Sequence, residues 1–335
     1  MSGTELLYLD AAKVAELLRG VDPLEVAAET LRAVHEGTAG ITPEAALRWT
    51  ASDGTAARSL ILPAHHTGRY GAKIINACVG NIDRGLPRAN GLIILFDPDT
   101  AVPTCVMEGA QVSALRTAAV SIAGLRAVRP LDGVRHVSFL GAGRQSATHL
   151  DLLAAHSPLE TVTVFDAVPE RASRFADEHP DLKVVVAATA GEAVSTSPLT
   201  IAATTTTTAY VEDGWLQPGA TFINVSLDDA TEDLLLNADH LFVDDWPLVS
   251  EDTTRLLGRL AHAGRVTGPD EQAPAGGRKV DADFATLLAG GYTRPIAPDD
   301  RVVLNPFGMG VHDVALASRV YESAVADPTV TRLPR

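Results

Sequence analysis

The chain has 335 residues, 46% of them hydrophobic and 21% charged, enough to fill about two domain cores and too apolar for disorder or a collagen-like repeat. Lys and Arg number 27 against 42 Asp and Glu, a formal net charge of -15, which repels phosphate polymers and excludes nucleic acid as an expected partner. The two cysteines, Cys78 and Cys105, offer neither a disulfide framework nor CxxC spacing and are expected as buried small hydrophobes. The N-terminal MSGTELLYLDAAKVAELL has no basic run leading into an apolar one, and no segment holds 18 uninterrupted apolar residues. A cytoplasmic protein without membrane contact is therefore expected.

Asp10 is placed to cap a helix over AAKVAELLRG, and Pro23 behind Asp22 opens a second helix reaching Glu36. The period then changes: ARSLILPAH, YGAKIINACVG and NGLIILFDPDT are short β-type runs ending in Gly, Pro or Asp. His65 and His66 are expected in a solvated turn. This third reads as helices on an antiparallel or mixed sheet. EGAQVSALRTAAVSIAGLRAV, from Glu108 to Val128, predicts a long Ala-rich helix, with a linker near RPLDG.

Strand VRHVSFLG, a helix from Gln145 to His156, strand TVTVFD, a helix from Pro169 to His179 and strand LKVVVA then alternate, and LTIAAT, ATFINVS and HLFVDD add further β-type runs. Such alternation predicts a doubly wound parallel sheet, because each parallel crossover needs a covering helix. Beyond Asp245 the pattern predicts a helix over EDTTRLLGRLAHAG, a loop at GPDEQAPAGGRK, a helix over DADFATLLAG, a strand and turn at RVVLNPFGMG and a final helix over HDVALASRVYESAVA. The tract TTTTT at 204–208 follows a strand, at the carboxyl edge where ligands bind such sheets.

Three constellations carry chemistry. Gly141-Ala142-Gly143-Arg144-Gln145-Ser146 sits between a strand and a helix, and Asp166 ends the next strand 20 residues after Ser146. Gly141 permits the turn, Gly143 lets a pyrophosphate approach the backbone, and the helix N-terminus offers free N–H groups. The Asp166 carboxylate suits two ribose hydroxyls and repels a 2′-phosphate, which favours NAD over NADP; Arg171 is the residue that could instead meet a 2′-phosphate. Arg48, Lys73, Arg88 and Arg116 form a cationic set in an acidic chain. Lys73 in an apolar strand and Arg116 on a small-residue helix both need an anionic partner, which a surface position or a structural ion pair would also supply. Asn224-Val225-Ser226-Leu227-Asp228-Asp229 offers a carboxylate at the sheet's carboxyl edge for proton transfer, or simple capping of TEDLLL; Asp244 and Asp245 share that ambiguity. No HExxH, zinc pattern, P-loop or GxSxG appears, so no metal is expected.

In order along the chain, Arg48, Lys73, SALRTAA, GAGRQS, Asp166, NVSLDD and GMGVHDVALA resemble the ornithine cyclodeaminase/μ-crystallin family of NAD(P)-dependent enzymes. GNIDRGLPRA, INVSLDD and NPFG are most similar to its branch that makes 2,3-diaminopropionate for siderophores and peptide antibiotics. The resemblance implies an NAD-binding Rossmann domain (119–306) inserted into a discontinuous α+β substrate and dimerisation domain (1–118 and 307–335), hence a homodimer. It implies that Arg48 and Lys73 hold the substrate carboxylate, that Arg116 is shared by substrate and cofactor, that Asp229, five residues after Asn224, is the catalytic acid/base, and that Lys73 is also catalytic. Gly141, Gly143, Arg144, Gln145, Ser146 and Asp166 take the pyrophosphate and ribose; Arg88, Thr204, Thr205, Ser226 and Leu227 join the cofactor side, and Phe307 walls the nicotinamide.

The implied reaction oxidises a substituted amino acid such as N-(2-amino-2-carboxyethyl)-glutamate to an imine that water splits to 2,3-diaminopropionate and 2-oxoglutarate. Cyclodeamination of ornithine or lysine, imine reduction or amino-acid dehydrogenation, and μ-crystallin-like binding without chemistry are the alternatives. Pro306 stands where cyclodeaminases usually carry Ser, His312 where an acidic residue is common, and WPLVSEDTTRLLGRLAHAG departs from the diaminopropionate branch.

Overall fold

The computed structural model describes residues 5–334. In chain order it contains β1 (Glu5–Leu9), α1 (Ala11–Leu18), α2 (Pro23–His35), β2 (Ala39–Ile41), β3 (Ala45–Thr50), β4 (Ala56–His66), β5 (Arg69–Cys78), β6 (Ala89–Phe96), β7 (Pro103–Glu108) and α3 (Ala110–Val128). There follow β8 (His136–Leu140), α4 (Arg144–His156), β9 (Thr161–Phe165), α5 (Pro169–Glu178), β10 (Val184–Val186), α6 (Ala190–Ser195), β11 (Leu199–Ala202), β12 (Thr221–Asn224), α7 (Glu232–Asn237) and β13 (His240–Val243). The remainder is α8 (Trp246–Glu251), α9 (Leu256–His262), β14 (Val266–Thr267), β15 (Arg278–Lys279), β16 (Ala282–Asp283), α10 (Phe284–Leu288), β17 (Val302–Asn305), α11 (Gly310–Ala326) and β18 (Thr331–Pro334). Two compact units result: Met1–Thr117 with Met309–Arg335, and Ala118–Gly308.

In the first unit the strands form one mixed sheet in the order β18-β1-β7-β6-β5-β4-β2, with β3 also on β4. Among the described residues only β1 and β7 run parallel in it; the other pairs are antiparallel. Alternation puts Leu7, Leu9, Leu62, Ala64, Ile93, Leu95, Cys105 and Met107 on one buried face, which α11 covers over β4, β5 and β6. The opposite face carries Tyr8, Leu47, Trp49, Ile61, Tyr70 and Leu92, all exposed. Asp10 caps α1 by accepting from Lys13 N at 2.9 Å, and Asp22 caps α2 from Leu24 and Glu25 N.

The second unit is an eight-stranded sheet in the order β10-β9-β8-β11-β12-β17-β13-β16, parallel throughout. The chain winds outward from β8 in one direction through β9 and β10, then in the other through β11 and β12. This is a doubly wound, Rossmann-type sheet, with its switch point between β8 and β11. The inner strands β8, β11, β12, β13 and β17 are almost wholly buried, as sheets covered on both faces require.

Four local expectations are corrected. RPLDG is no boundary: it forms a 3-10 turn at Leu131–Gly133 inside the second unit, and the division falls within α3, whose backbone runs on as one helix. The helix expected over EDTTRLLGRLAHAG is broken between α8 and α9, because Asp252 turns back to accept from Thr254 N at 2.6 Å, while Asp228 accepts from Leu256 N at 2.9 Å and starts a new helix. His65 and His66 end β4 rather than lie in the turn, which Thr67 (φ 44°) and Gly68 (φ 80°) make instead. His66 is buried with its Nε2 3.5 Å from Thr30 Oγ1, and burial lowers its pKa. Cys105 is buried, but Cys78 is only half-buried. The short strands β1 and β18 and the helix α6 lacked any sequence expectation.

Candidate active site

In the second unit the loop from β8 into α4 is built for close approach. Gly141 has φ 90°, and a Cβ there would stand 2.8 Å from Ala203 O, so only glycine lets this loop lie against the one after β11. A Cβ on Gly143 would meet nothing within 4 Å, which leaves open space over the N-terminus of α4, where no side chain caps the helix. Ser146 is buried and donates to Gly141 O at 2.5 Å, tying the helix to the loop. Gln145 Oε1 is buried without a hydrogen-bond partner, and Arg144 is exposed. Asp166 accepts from Ala142 N at 2.9 Å and Val168 N at 2.8 Å. A carboxylate has about four acceptor positions, so it retains capacity for ribose hydroxyls. An uncapped helix N-terminus and open space at Gly143 fit a dinucleotide pyrophosphate.

Beside this loop, Asp229 is fully buried. Thr204 Oγ1 donates to its Oδ1 at 2.7 Å, Ser226 donates to its Oδ2, and Tyr210 bonds it as well. Burial raises its pKa; the three hydroxyls and neighbouring Asp228 modify that shift without reversing it. Ser226 Oγ also accepts from Thr204 N at 3.0 Å, so the loops after β11 and β12 lock each other. Leu227, between Ser226 and Asp228, holds φ 75°, a conformation side-chain-bearing residues rarely adopt. Asp228 has a different job: it pairs with Arg255 at 2.7 Å and caps α9. The geometry thus separates the two adjacent acids into a capping residue and a candidate proton carrier. Thr205 is exposed in the same loop.

Asp244, also buried, has its pKa pushed up to about 6 by burial. Its two oxygens accept from Phe307 N at 2.8 Å and Gly308 N at 2.6 Å, which fixes the backbone that carries Phe307. Asp245 caps α8 through Leu248 N at 2.8 Å.

In the first unit Lys73, from β5, is 2% exposed on the sheet's buried face. Its Nζ lies 2.7 Å from Asp313 Oδ2 and 3.3 Å from Ser113 Oγ. Burial, reinforced by the nearby Arg116 and opposed by Asp313, lowers its pKa to about 8. Arg116, on α3 and 9% exposed, brings its Nε to 3.1 Å from the same Asp313 oxygen. Arg48, on β3, pairs across the ladder with Arg58; alternation puts it on the face of the sheet that carries Lys73, but exposed. Arg88 is exposed beside the start of β6.

Tyr210 and Asp313 belong to the candidate site although residue patterns did not single them out. Asp313 had a usable signal, as the one acid among the apolar residues of GMGVHDVALA, and a buried lysine demands such a partner. Among the described residues no group of three His, Cys, Asp or Glu could hold a metal ion, and no helix is long and apolar enough to cross a membrane.

The sequence model of the ornithine cyclodeaminase/mu-crystallin family matches residues 5–327. N-((2S)-2-amino-2-carboxyethyl)-L-glutamate dehydrogenase of Staphylococcus aureus is 30% identical over 276 residues, 80% of this chain and 79% of that protein. The crystal structure of CmnK is similar with a TM-score of 0.90 at 36% identity, covering 98% of both chains. Thermococcus litoralis Δ1-pyrroline-2-carboxylate reductase, solved with NADH and L-proline, shares the fold at a TM-score of 0.85 and 21% identity, covering 97% of this chain and 99% of that one.

Proposed function

The chain belongs to the ornithine cyclodeaminase/mu-crystallin family, and from that premise we propose that it is an NAD-dependent oxidoreductase acting on the C–N bond of a substituted amino acid. The substrate we favour is N-(2-amino-2-carboxyethyl)-L-glutamate, the compound named in the Staphylococcus aureus relative. The observation that carries the reading is Asp229: a buried carboxyl with a raised pKa, held by three hydroxyls beside a glycine loop suited to a dinucleotide.

NAD, when bound, supplies the hydride acceptor. Gly141, Gly143, Arg144, Gln145 and Ser146 would hold its pyrophosphate, Asp166 its ribose, and Thr204, Thr205, Ser226 and Leu227 would line the same carboxyl edge. Lys73 and Arg116, with Arg48 on the same sheet face, would take substrate carboxylate; Arg88 belongs to the cofactor side and Phe307 to the wall beside the reacting carbon. Asp229 would accept the proton of the secondary amine as the glutamyl Cα is oxidised to the imine. The resulting imine adds water and splits to 2,3-diaminopropionate and 2-oxoglutarate. Asp166, through its negative charge, favours NAD over NADP. The same reading makes the chain a homodimer, supported by the exposed apolar sheet face.

The test mixes purified protein and NAD with N-(2-amino-2-carboxyethyl)-L-glutamate, ornithine, lysine, alanine and arginine, following NADH absorbance and products by mass spectrometry. NADH with 2,3-diaminopropionate bears the proposal out. Product without net NADH marks a cyclodeaminase cycle, and silence across the panel with NAD bound overturns the catalytic reading.

A further inference from the structure

We propose that His312 is a substrate-recognition residue, hydrogen-bonding the amino-acid ligand that Lys73 and Arg116 attract. His312 is the third residue of α11, 2% exposed, and both its ring nitrogens are buried without a hydrogen-bond partner. Leaving buried polar atoms unmatched is costly, and those that persist in a folded chain mark a place that water or a ligand completes. The surroundings favour a ligand. The adjacent Asp313 has its Oδ1 buried and unmatched, and Arg116 Nε, although 3.1 Å from Asp313 Oδ2, makes no hydrogen bond. Four unmatched buried atoms thus lie on three side chains of one ion-pair cluster.

The charges that face His312 come from three elements: Arg116 on α3, Lys73 on β5 and His66 on β4. With burial they lower its pKa to about 3, so the imidazole is neutral and presents one N–H donor and one acceptor nitrogen. Arg116 Nε adds a donor and Asp313 Oδ1 an acceptor. A simple anion would meet the donors and be repelled by Asp313. A ligand bearing both a carboxylate and an amine N–H meets both kinds of atom. Met309 at the N-cap of α11 offers no side-chain cap to the first turn, which reinforces the preference for a carboxylate. The proposal rests on the reaction above and assigns to it a residue that selects amino acids over plain carboxylates.

The experiment measures steady-state kinetics and, separately, calorimetric binding of N-(2-amino-2-carboxyethyl)-L-glutamate and L-glutamate to NAD-loaded wild type, His312→Ala and His312→Gln. Glutarate, which lacks the amine, is the control ligand. A hydrogen bond to a charged group sets the expected loss at about 10- to 100-fold. His312→Ala raises KM and Kd by that factor with kcat changed less than about threefold, and His312→Gln, which keeps a donor and an acceptor, recovers part of it. Binding of glutarate is weaker in wild type and loses less than that of the amino acids on substitution, because it meets only the imidazole donor. Equal KM and Kd in wild type and both variants overturns the proposal while leaving the reaction intact. His312-dependent binding without turnover sustains it and overturns the reaction; absence of amino-acid binding to wild type overturns both. If His312→Ala does not fold, His312→Gln against wild type decides on the glutarate discrimination, which a merely structural histidine would leave unchanged.

Discussion

Asp313 Oδ2 lies 2.7 Å from Lys73 Nζ, closing a fully buried ion pair between residues 240 positions apart in the chain. The pair joins α11 to β5, the last helix of the first unit to the centre of its sheet. Removing Asp313 leaves both Lys73 and Arg116 uncompensated, so Asp313→Asn costs about 3–5 kcal/mol of stability. Replacing both, as Lys73→Met with Asp313→Leu, recovers only part of that loss, because Arg116 also loses its anion, and it abolishes the proposed substrate capture. Urea unfolding of the two single variants and the double one checks this. A loss below about 1 kcal/mol for Asp313→Asn, well under the cost of an orphaned buried charge, overturns it.

The proposed roles of Lys73 and Asp229 predict two titrating limbs in the rate. Lys73, lowered to about 8, binds carboxylate only while protonated, so kcat/KM is full below that value and falls as pH rises through it. Asp229 takes a proton only as the carboxylate. Burial raises its pKa above 3.8, so the acid limb lies higher than an ordinary aspartate would put it, with activity lost as pH falls. Lys73→Arg moves the alkaline limb out of range, because a guanidinium keeps its charge. Asp229→Asn lowers kcat by about 10²- to 10⁴-fold with NAD affinity retained. An unchanged alkaline limb in Lys73→Arg, or near-full turnover in Asp229→Asn, contradicts these assignments.

The parts legible in the sequence were those written locally. GAGRQS between VRHVSFLG and a helix, and Asp166 at the end of TVTVFD, needed only adjacent residues, and the parallel sheet followed from the alternation around them. The helix over EDTTRLLGRLAHAG failed because its interruption is tertiary: Asp228, 28 residues away, supplies the cap that restarts it at Leu256. His66 read as a turn residue because burial against Thr30 depends on how α2 packs. The need of Lys73 for an anion was legible, whereas Asp313 as that anion was not, since nothing in either local pattern registers a contact across the fold. Asp228 and Asp229 were indistinguishable on their residues alone; Arg255 and Thr204, brought from elsewhere, separate their roles.

On the proposed reading, the choice of cofactor turns on Asp166. Its carboxylate already holds Ala142 N, so deleting the side chain would disturb the loop as well as the charge. Asp166→Asn keeps an amide oxygen for one of the two N–H groups, Ala142 or Val168, and removes the negative charge. Exchanging a charged acceptor for a neutral one costs NAD on the order of tenfold in affinity, and the repulsion of a 2′-phosphate is relieved, so the preference for NAD over NADP narrows. Titration of each nucleotide by intrinsic fluorescence reads the ratio. A ratio that stays constant would show that Asp166 serves the loop alone, and equal wild-type affinities would remove the basis for naming NAD.

The exposed face of the first unit's sheet bears on assembly. Leu47 is 66% and Trp49 46% exposed on β3, and alternation aligns them with Ile61, Tyr70, Leu92 and Tyr8 on neighbouring strands. Single exposed hydrophobes need no explanation, but six on one sheet face form a patch of the kind that association covers. Burying such side chains is worth roughly 25 cal/mol per Å² of apolar area, and stable pairs bury about 1,600 Å² in total. The wild-type chain is therefore expected to sediment as a dimer, and Leu47→Lys with Trp49→Glu to sediment as a folded monomer. The substitutions lie on a surface that solvent already reaches, so the fold of each unit is retained and circular dichroism stays unchanged. A wild-type monomer at micromolar concentration, or a double variant that still dimerises, would move the interface elsewhere and leave this apolar face without an assigned partner.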